Sequence, residues 1–199
     1  MESKIPSKQD KIIFDACIFM VEIGKCSFQE MRETFIDALF NYFEIIYIHE
    51  VVYKDELDAI SKSWISKQIS SGKVVILKDP KRDTVYDELL FKLEHYELLQ
   101  SSCRRKNNGE IHSIAYAKYY NYKYFSTNDR DAAMACNEIP TFSNIKIAGL
   151  EILLVLAELN ADSSNVKESR KRRKAIYKSY CRRKGLPKTF GEYYKSILG

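Results

Sequence analysis

At 199 residues, 45% hydrophobic and 30% charged, the chain is long enough to bury one sizeable core, and its seven Gly and four Pro leave little room for low-complexity sequence. Its best apolar run, Leu150 to Leu159, is interrupted by Glu151 and Glu158, and the N-terminus MESKIPSKQDK is polar, so neither a membrane span nor a signal peptide is expected. The net charge of +5 conceals an asymmetry: residues 163–199 hold 12 Lys and Arg against 2 Asp and Glu, a net of +10, which leaves −5 for residues 1–162.

In chain order, Lys11 to Phe14 is a short apolar run ending at Asp15, a strand that delivers a carboxylate to its C-terminal end. Phe28, Met31, Phe35 and Leu39 recur at helical spacing, and Glu44 to Ile48 is apolar and β-branched, giving a β-α-β start. His49 to Ser71 is the longest helical candidate, with Val52, Leu57, Ile60, Trp64, Ile65 and Ile69 on its apolar side, Glu50 in its first turn and Gly72 as its stop. Val74 to Leu77 is another strand, and Asp83 to Ser102 another helix. A basic loop, Cys103 to Asn108, enters Gly109.

From Gly109, Ile111, Ile114, Ala115, Tyr119 and Tyr122 mark a helix whose first turn holds Glu110. Tyr122 to Thr127 reads as an aromatic strand, and Asn128, Asp129, Arg130 and Asp131 as the polar loop after it, where an open parallel sheet binds ligands. A helical turn through Ala135 leads to Pro140, a strand at Asn144 to Ile147 and a helix from Leu150 to Leu159. The alternation predicts a parallel α/β sheet in a domain spanning 1–160. Residues 161–199 form a basic helical tail: Asn165 and Glu168 have N-cap spacing, a helix runs from Val166 to Lys184, and Thr189 to Glu192 matches a capping box ahead of the stripe Phe190, Tyr193, Tyr194, Ile197, Leu198.

Asp15, Glu50, Glu110, Asp129 and Asp131 all lie at ends of predicted elements. Carboxylates gathered in one cleft stay ionised together when a cation neutralises them, and hard oxygen ligands favour Mg²⁺ or Mn²⁺. Such a site suits phosphodiester hydrolysis. Taken singly, the glutamates are better explained as first-turn acids favoured by the helix dipole, and Asp129 equally well as a cap. Asp15 is different, since a charge directly after Ile12-Ile13-Phe14 is costly unless paired or liganded. Other α/β chemistries lack their motifs: there is no GxGxxG, Walker lysine loop or GxSxG, and His49 and His112 read as structural or substrate-contacting. Cys17, Cys26, Cys103, Cys136 and Cys181 are odd in number and without CxxC spacing, so neither a disulfide framework nor zinc is signalled, and a reducing cytoplasm is the simplest setting.

Over roughly Lys11 to Leu159 the chain resembles PIN-domain ribonucleases, of the kind found as toxins of bacterial toxin–antitoxin pairs. The carriers are the strand ending in Asp15, Glu50 in HEVVYKDEL, Glu110 in GEIHSIAYA, and STNDRDA with Asp129 and Asp131. The resemblance implies a PIN-like three-layer fold with a central parallel sheet, extended here by the C-terminal helices, and single-stranded RNA cleavage. It implies Asp15, Glu110 and Asp129 as metal ligands, Glu50 as a ligand or its support, Asp131 as an auxiliary acid, and Thr127 and Asn128 as shapers of the loop. An antitoxin would be the protein partner. Ala16-Cys17 stands where the family often has Ser or Thr after the first Asp, and Glu110 where it commonly has Asp. Two rivals share these residues: a non-catalytic RNA- or protein-binding module of the same fold, and a DNA-directed nuclease. In the tail, Arg170, Lys171, Arg172, Arg173, Lys174, Lys178, Arg182, Arg183 and Lys184, with Tyr177 and Tyr180 interleaved, fit a nucleic-acid arm. The alternative for the tail is a helix packed on the body, or a homodimer or partner surface.

Overall fold

The computed structural model describes residues 5–20, 35–100, 107–160, 166–180 and 185–199. The expected helix at Phe28 to Leu39 falls largely outside them, as do the basic loop before Asn107, the Asn165 cap, and Arg182 and Arg183. The chain packs as two compact units, each discontinuous in sequence: Gln9–Met20 with Ile45–Ile147, and Met1–Lys8 with Val21–Glu44 and Ala148–Gly199. The compositional boundary at 160/161 lies within the latter.

The first unit is an α/β layer arrangement. Its strands are β1 (Ile12–Phe14), β2 (Ile46–His49), β3 (Val74–Leu77), β4 (Tyr124–Ser126) and β5 (Lys146–Ile147), all parallel, in the order β3-β2-β1-β4-β5. Continuous apolar sequence goes to the middle, where a parallel strand is covered on both faces: Ile12, Ile13 and Phe14 have no exposed surface. The edges are a strand of only 2 residues, β5, and β3, whose Val75 is 38% exposed. Helices α1 (Ala16–Phe19), α3 (Ala59–Ser70), α4 (Thr84–Glu94), α5 (Asn108–Tyr119) and α6 (Arg130–Glu138) flank the sheet; α2 (Asp37–Tyr42) belongs to the second unit. On one face Ile13, Leu77 and Phe125 pack with Tyr86, Leu89 and Leu93 of α4, Ile111, Ile114 and Ala115 of α5, and Ala132, Ala135 and Cys136 of α6. Ala115, Ala117, Ala132 and Ala135 let two helix axes approach that face closely.

Several boundaries differ from the sequence expectation. The single helix at His49 to Ser71 does not form: β2 keeps His49, a π-helical turn occupies Val52–Glu56, and Leu57 is extended. The turn closes with Leu57 N–H donating to Val52 O at 3.1 Å, and Asp58 then caps α3 by accepting from Ser61 N at 2.7 Å. Likewise Asp83 caps α4, accepting from Val85 N and Tyr86 N, and that helix ends at Glu94 rather than Ser102. Asp131 sits in the first turn of α6 instead of a loop, because Asp129 is the cap.

The second unit holds α2 (Asp37–Tyr42), α7 (Leu150–Leu159), α8 (Val166–Tyr180) and α9 (Phe190–Leu198). The expected capping box is present, with Glu192 N donating to Thr189 Oγ1 at 3.2 Å and Thr189 N to Glu192 Oε2 at 3.1 Å. Phe190 and Tyr193 of that helix pack on Tyr177 of α8, whose hydroxyl donates to Pro187 O at 2.8 Å. Tyr177, only 2% exposed, is therefore core and not a stacking platform for bases. Arg173 is also withdrawn from the proposed arm: it is 1% exposed and its Nε donates to Glu158 Oε2 of α7 at 2.7 Å. Arg170 pairs with the other oxygen of Glu158 at 2.9 Å, and Arg172 with Glu168 at 3.5 Å, while Lys174 is exposed. Among the described residues no helix is long and apolar enough to cross a membrane.

Removing one partner of a buried pair strands the other charge. Arg173→Ala is expected to destabilise the protein by about 3–5 kcal/mol in urea unfolding, whereas Lys174→Ala, one residue on, stays within about 0.5 kcal/mol. Equal small effects would place Arg173 in solvent.

Candidate metal centre

From β1 the chain moves to β2 on one side and later to β4 on the other. The C-terminal ends of β1 and β4 are thus the point where strand order reverses, which in open α/β sheets opens a crevice. Asp15 stands there with 1% of its surface exposed. Its N–H extends the β1–β4 ladder to Ser126 O at 2.9 Å, and its Oδ1 accepts from Ala16 N at 2.7 Å. Oδ2 accepts from the Thr127 hydroxyl at 3.0 Å, and that hydroxyl oxygen accepts from Asp129 N–H at 3.0 Å. One buried hydroxyl thus ties the first acid to the loop bearing another. Asp129 Oδ1 in turn accepts from Asp131 N at 2.8 Å and Ala132 N at 2.9 Å, fixing the start of α6.

Cys17 replaces the hydroxyl expected after Asp15. Its Sγ accepts from Asn128 N at 3.1 Å and lies 3.6 Å from Thr127 Oγ1, so a thiol does the loop-bracing. Burial, then the neighbouring Asp15 charge, pushes the Cys17 thiol well above its ordinary range, which keeps it a neutral brace.

Glu110, in the first turn of α5, reaches the same place, and so does Glu56, the last residue of the π-helical turn. One oxygen each from Asp15, Glu56 and Glu110 lie within 4.8 Å of one another. Glu56 Oε1 accepts from Gly109 N at 2.7 Å, and a Cβ at position 109 would fall 2.2 Å from Glu56 Oε2. Glycine there lets the Glu56 carboxylate take this position, which a Cβ would force it to leave. A cleft of about 260 Å³ opens over the group, lined by Asp15, Ala16, Cys17, Met20, Glu56, Asn107, Glu110 and Asp129.

These acids are electrostatically frustrated. Burial first, then the charges of Asp15 and Glu56, push the Glu110 carboxyl up to about 8. Burial lifts Glu56 to about 7 despite the Gly109 N–H, and burial raises Asp15 as well, against its hydrogen bonds. Glu110 Oε2 is buried without a hydrogen-bond partner among the described residues. Three convergent hard oxygen donors, one orphaned, fit a divalent cation of the Mg²⁺ or Mn²⁺ type, which would lower all three.

Of the five acids expected here, Asp15, Glu110 and Asp129 line the cleft and Glu50 and Asp131 do not. Glu50 pairs with Lys54 one turn on, and Asp131 contributes its N–H to the Asp129 cap. Glu56 was missed. It lies in the quoted stretch HEVVYKDEL, but regular helical spacing does not single it out. The hint is the five-residue interval between Val52 and Leu57, which an α-helix would not place on one face and a π turn does.

A second polar group lies beside the first. His49, with no exposed surface, has Nε2 2.9 Å from Asp79 Oδ1, and His112 Nδ1 lies 2.8 Å from Oδ2 without hydrogen-bond alignment. Tyr86 also donates to Oδ1. Burial alone would raise the Asp79 carboxyl; the His112, His49 and Tyr86 contacts outweigh it and hold it well below the usual carboxylate range. Val51 N–H donates to His49 Nδ1 at 3.3 Å, which puts the ring proton on Nε2, facing Asp79. The group is thereby a hub joining the ends of β2 and β3 to α4 and α5, with its imidazole donor already used.

Comparison with protein-family models, curated proteins and solved structures finds no match to this chain.

Two outcomes follow from the frustrated acids. In the unfolded chain the glutamates titrate near 4.5, so between about pH 4.5 and 8 the metal-free folded state holds more protons than the unfolded state, and stability falls as pH rises. Asp79 acts in the opposite sense but only as pH falls below its ordinary 3.8, outside that window. In EDTA the Tm should decline from about pH 5 to pH 8, Glu110→Gln should flatten the decline, and Mg²⁺ should stabilise more at pH 8. A flat, Mg²⁺-insensitive Tm would refute the site. Gly109→Ala displaces the Glu56 carboxylate and should weaken Mn²⁺ binding by about 10–100-fold in calorimetric titration, with the Tm in EDTA little changed.

Proposed function

We propose that the chain is a divalent-metal-dependent endoribonuclease with a PIN-like three-layer fold, hydrolysing phosphodiester bonds of single-stranded RNA. What supports the reading most is the group Asp15, Glu56 and Glu110: three carboxylates forced together at the crevice of a parallel sheet, two of them pushed into the neutral pH range by burial and mutual repulsion. The same geometry serves a DNA substrate, and the choice of RNA rests on the resemblance of the strand-end Asp15, Glu110 and the STNDRDA tract to PIN ribonucleases.

In this reading Asp15, Glu56 and Glu110 hold the cation, with Asp129 at the cleft wall. When bound, Mg²⁺ or Mn²⁺ supplies Lewis acidity toward water and the scissile phosphate. The chain supplies orientation. Thr127 fixes one Asp15 oxygen and Ala16 N–H the other, so this carboxylate has little rotational freedom left. Gly109 N–H fixes Glu56, and Glu110 keeps a buried oxygen free of partners among the described residues. A polyanion approaching four clustered acids is repelled unless they are neutralised, so substrate binding in the cleft and cation binding are coupled.

Incubation of a mixed RNA pool with Mn²⁺, with and without EDTA, tests the reading. Asp15→Asn and Glu110→Gln should each lower the cleavage rate by at least the roughly 100-fold that loss of an outer metal partner brings, and Glu50→Gln should leave it unchanged. Matched RNA and DNA oligonucleotides decide the substrate. Faster DNA cleavage makes it a DNA-directed enzyme, and a wild type inert with every divalent ion makes it a binding module.

A further inference from the structure

The basic residues of α8 fall into two chemically distinct, interleaved sets. Its arginines on α8 face inward or along the helix: Arg173 and Arg170 share Glu158, and Arg172 pairs with Glu168. Its lysines do not. Lys167, Lys171, Lys174 and Lys178 are all exposed, at successive intervals of four, three and four residues. At 3.6 residues per turn these positions fall within an arc of about 60°, and at 1.5 Å per residue they run about 16 Å along the axis. The buried side chains Arg173, Ile176 and Tyr177 occupy the opposite side. Small exposed residues, Ala175 and Ser179, flank the lysines on one side beyond Glu168, and Arg170 flanks them on the other.

We propose that this lysine stripe of α8 grips the phosphate backbone of single-stranded RNA. The proposal rests on RNA being the substrate and adds a hold on the strand outside the carboxylate cleft. At one phosphate per about 3.4 Å of stacked strand, the stripe faces about five phosphates. Ammonium groups on flexible stems act as point charges toward phosphate oxygens, which suits a sequence-independent hold. A bilayer fits less well: a membrane-surface helix needs an outward apolar face, and the apolar side of α8 is used against Phe190 and Tyr193.

The test is binding of a fluorescein-labelled oligo-U of about 20 nucleotides, followed by anisotropy in EDTA from about 50 to 200 mM KCl. Wild type is compared with Lys167→Ala/Lys171→Ala/Lys174→Ala and with the same three positions changed to Arg. The alanine variant should bind more weakly and flatten the slope of log K against log salt by about 2, at about 0.7 per lost contact, while the arginine variant keeps the wild-type slope and oligo-A behaves like oligo-U. An alanine variant with wild-type affinity and slope overturns the proposal. So does loss of binding to phosphatidylserine vesicles with RNA binding intact, which would assign the stripe to a membrane. Because EDTA suppresses cleavage, a wild type that binds but never cuts with Mn²⁺ defeats the nuclease reading alone, and one that cuts without using the stripe defeats this proposal alone.

Discussion

The site depends on where Asp15 is put. A carboxylate that follows three fully buried apolar residues cannot reach bulk water without breaking the central strand, so its charge must be matched locally. Backbone and hydroxyl donors match part of it: Ala16 N–H on one oxygen and Thr127 Oγ1 on the other. These hydrogen bonds lower the Asp15 carboxyl but do not overcome its burial, to which the Asp129 charge adds, and the Asp15 charge in turn raises Glu56 and Glu110. Among the described residues none of the three pairs with Lys or Arg, so the fold gains little stability from this arrangement. Metal chemistry gives the arrangement a use.

Supporting structure around the acids is correspondingly stiff. Thr127 spans the ends of β1 and β4, Cys17 braces the same loop from the other side, and Asp129 spends one oxygen on the cap of α6. On the neighbouring strands, Asp79 draws His49, Tyr86 and His112 together, and His112 is two residues beyond Glu110 on α5. The hub pins the first turns of α5 against β2 and β3, so Glu110 is presented from a helix whose start cannot slide. Gly109 completes the fit by letting Glu56 lie against the helix backbone.

Much of this was legible in the residues, for physical reasons that differ by position. Asp15 stands out because an apolar run ending in a charge has few structural explanations, and Asp129 because Thr-Asn-Asp after an aromatic strand is loop chemistry. The parallel sheet follows from short apolar runs alternating with helical periodicity, and the capping box at Thr189 to Glu192 from local hydrogen bonding alone. Glu56 was hidden because its position depends on a π turn, a local irregularity that pattern matching at period 3.6 reads as a uniform helix from His49 onward. Glu50 attracted attention for being first in that helix, yet its contact is with Lys54. Where regular periodicity is broken, the wrong acid is chosen from the right segment.

The tail illustrates a different limit. In sequence, Arg170-Lys171-Arg172-Arg173-Lys174 is one basic block, and charge alone does not sort its members. Packing does. A guanidinium is planar, weakly hydrated and able to share a carboxylate along its edge, so burying Arg173 against Glu158 is tolerable where burying an ammonium is not. Lysine, strongly hydrated, is left on the outer face. The same helix therefore uses arginine to join α7 and lysine to meet solvent or an anion, and the two roles interleave at helical spacing instead of dividing the block in two. Reading the block against the buried positions Ile176 and Tyr177 would separate them, since Arg173 is three residues from the one and four from the other and so shares the face of both, which none of Lys171, Lys174 and Lys178 does. Net charge measures how strongly such a segment attracts a polyanion at a distance; which cations touch it is decided by what the other face of the helix must bury.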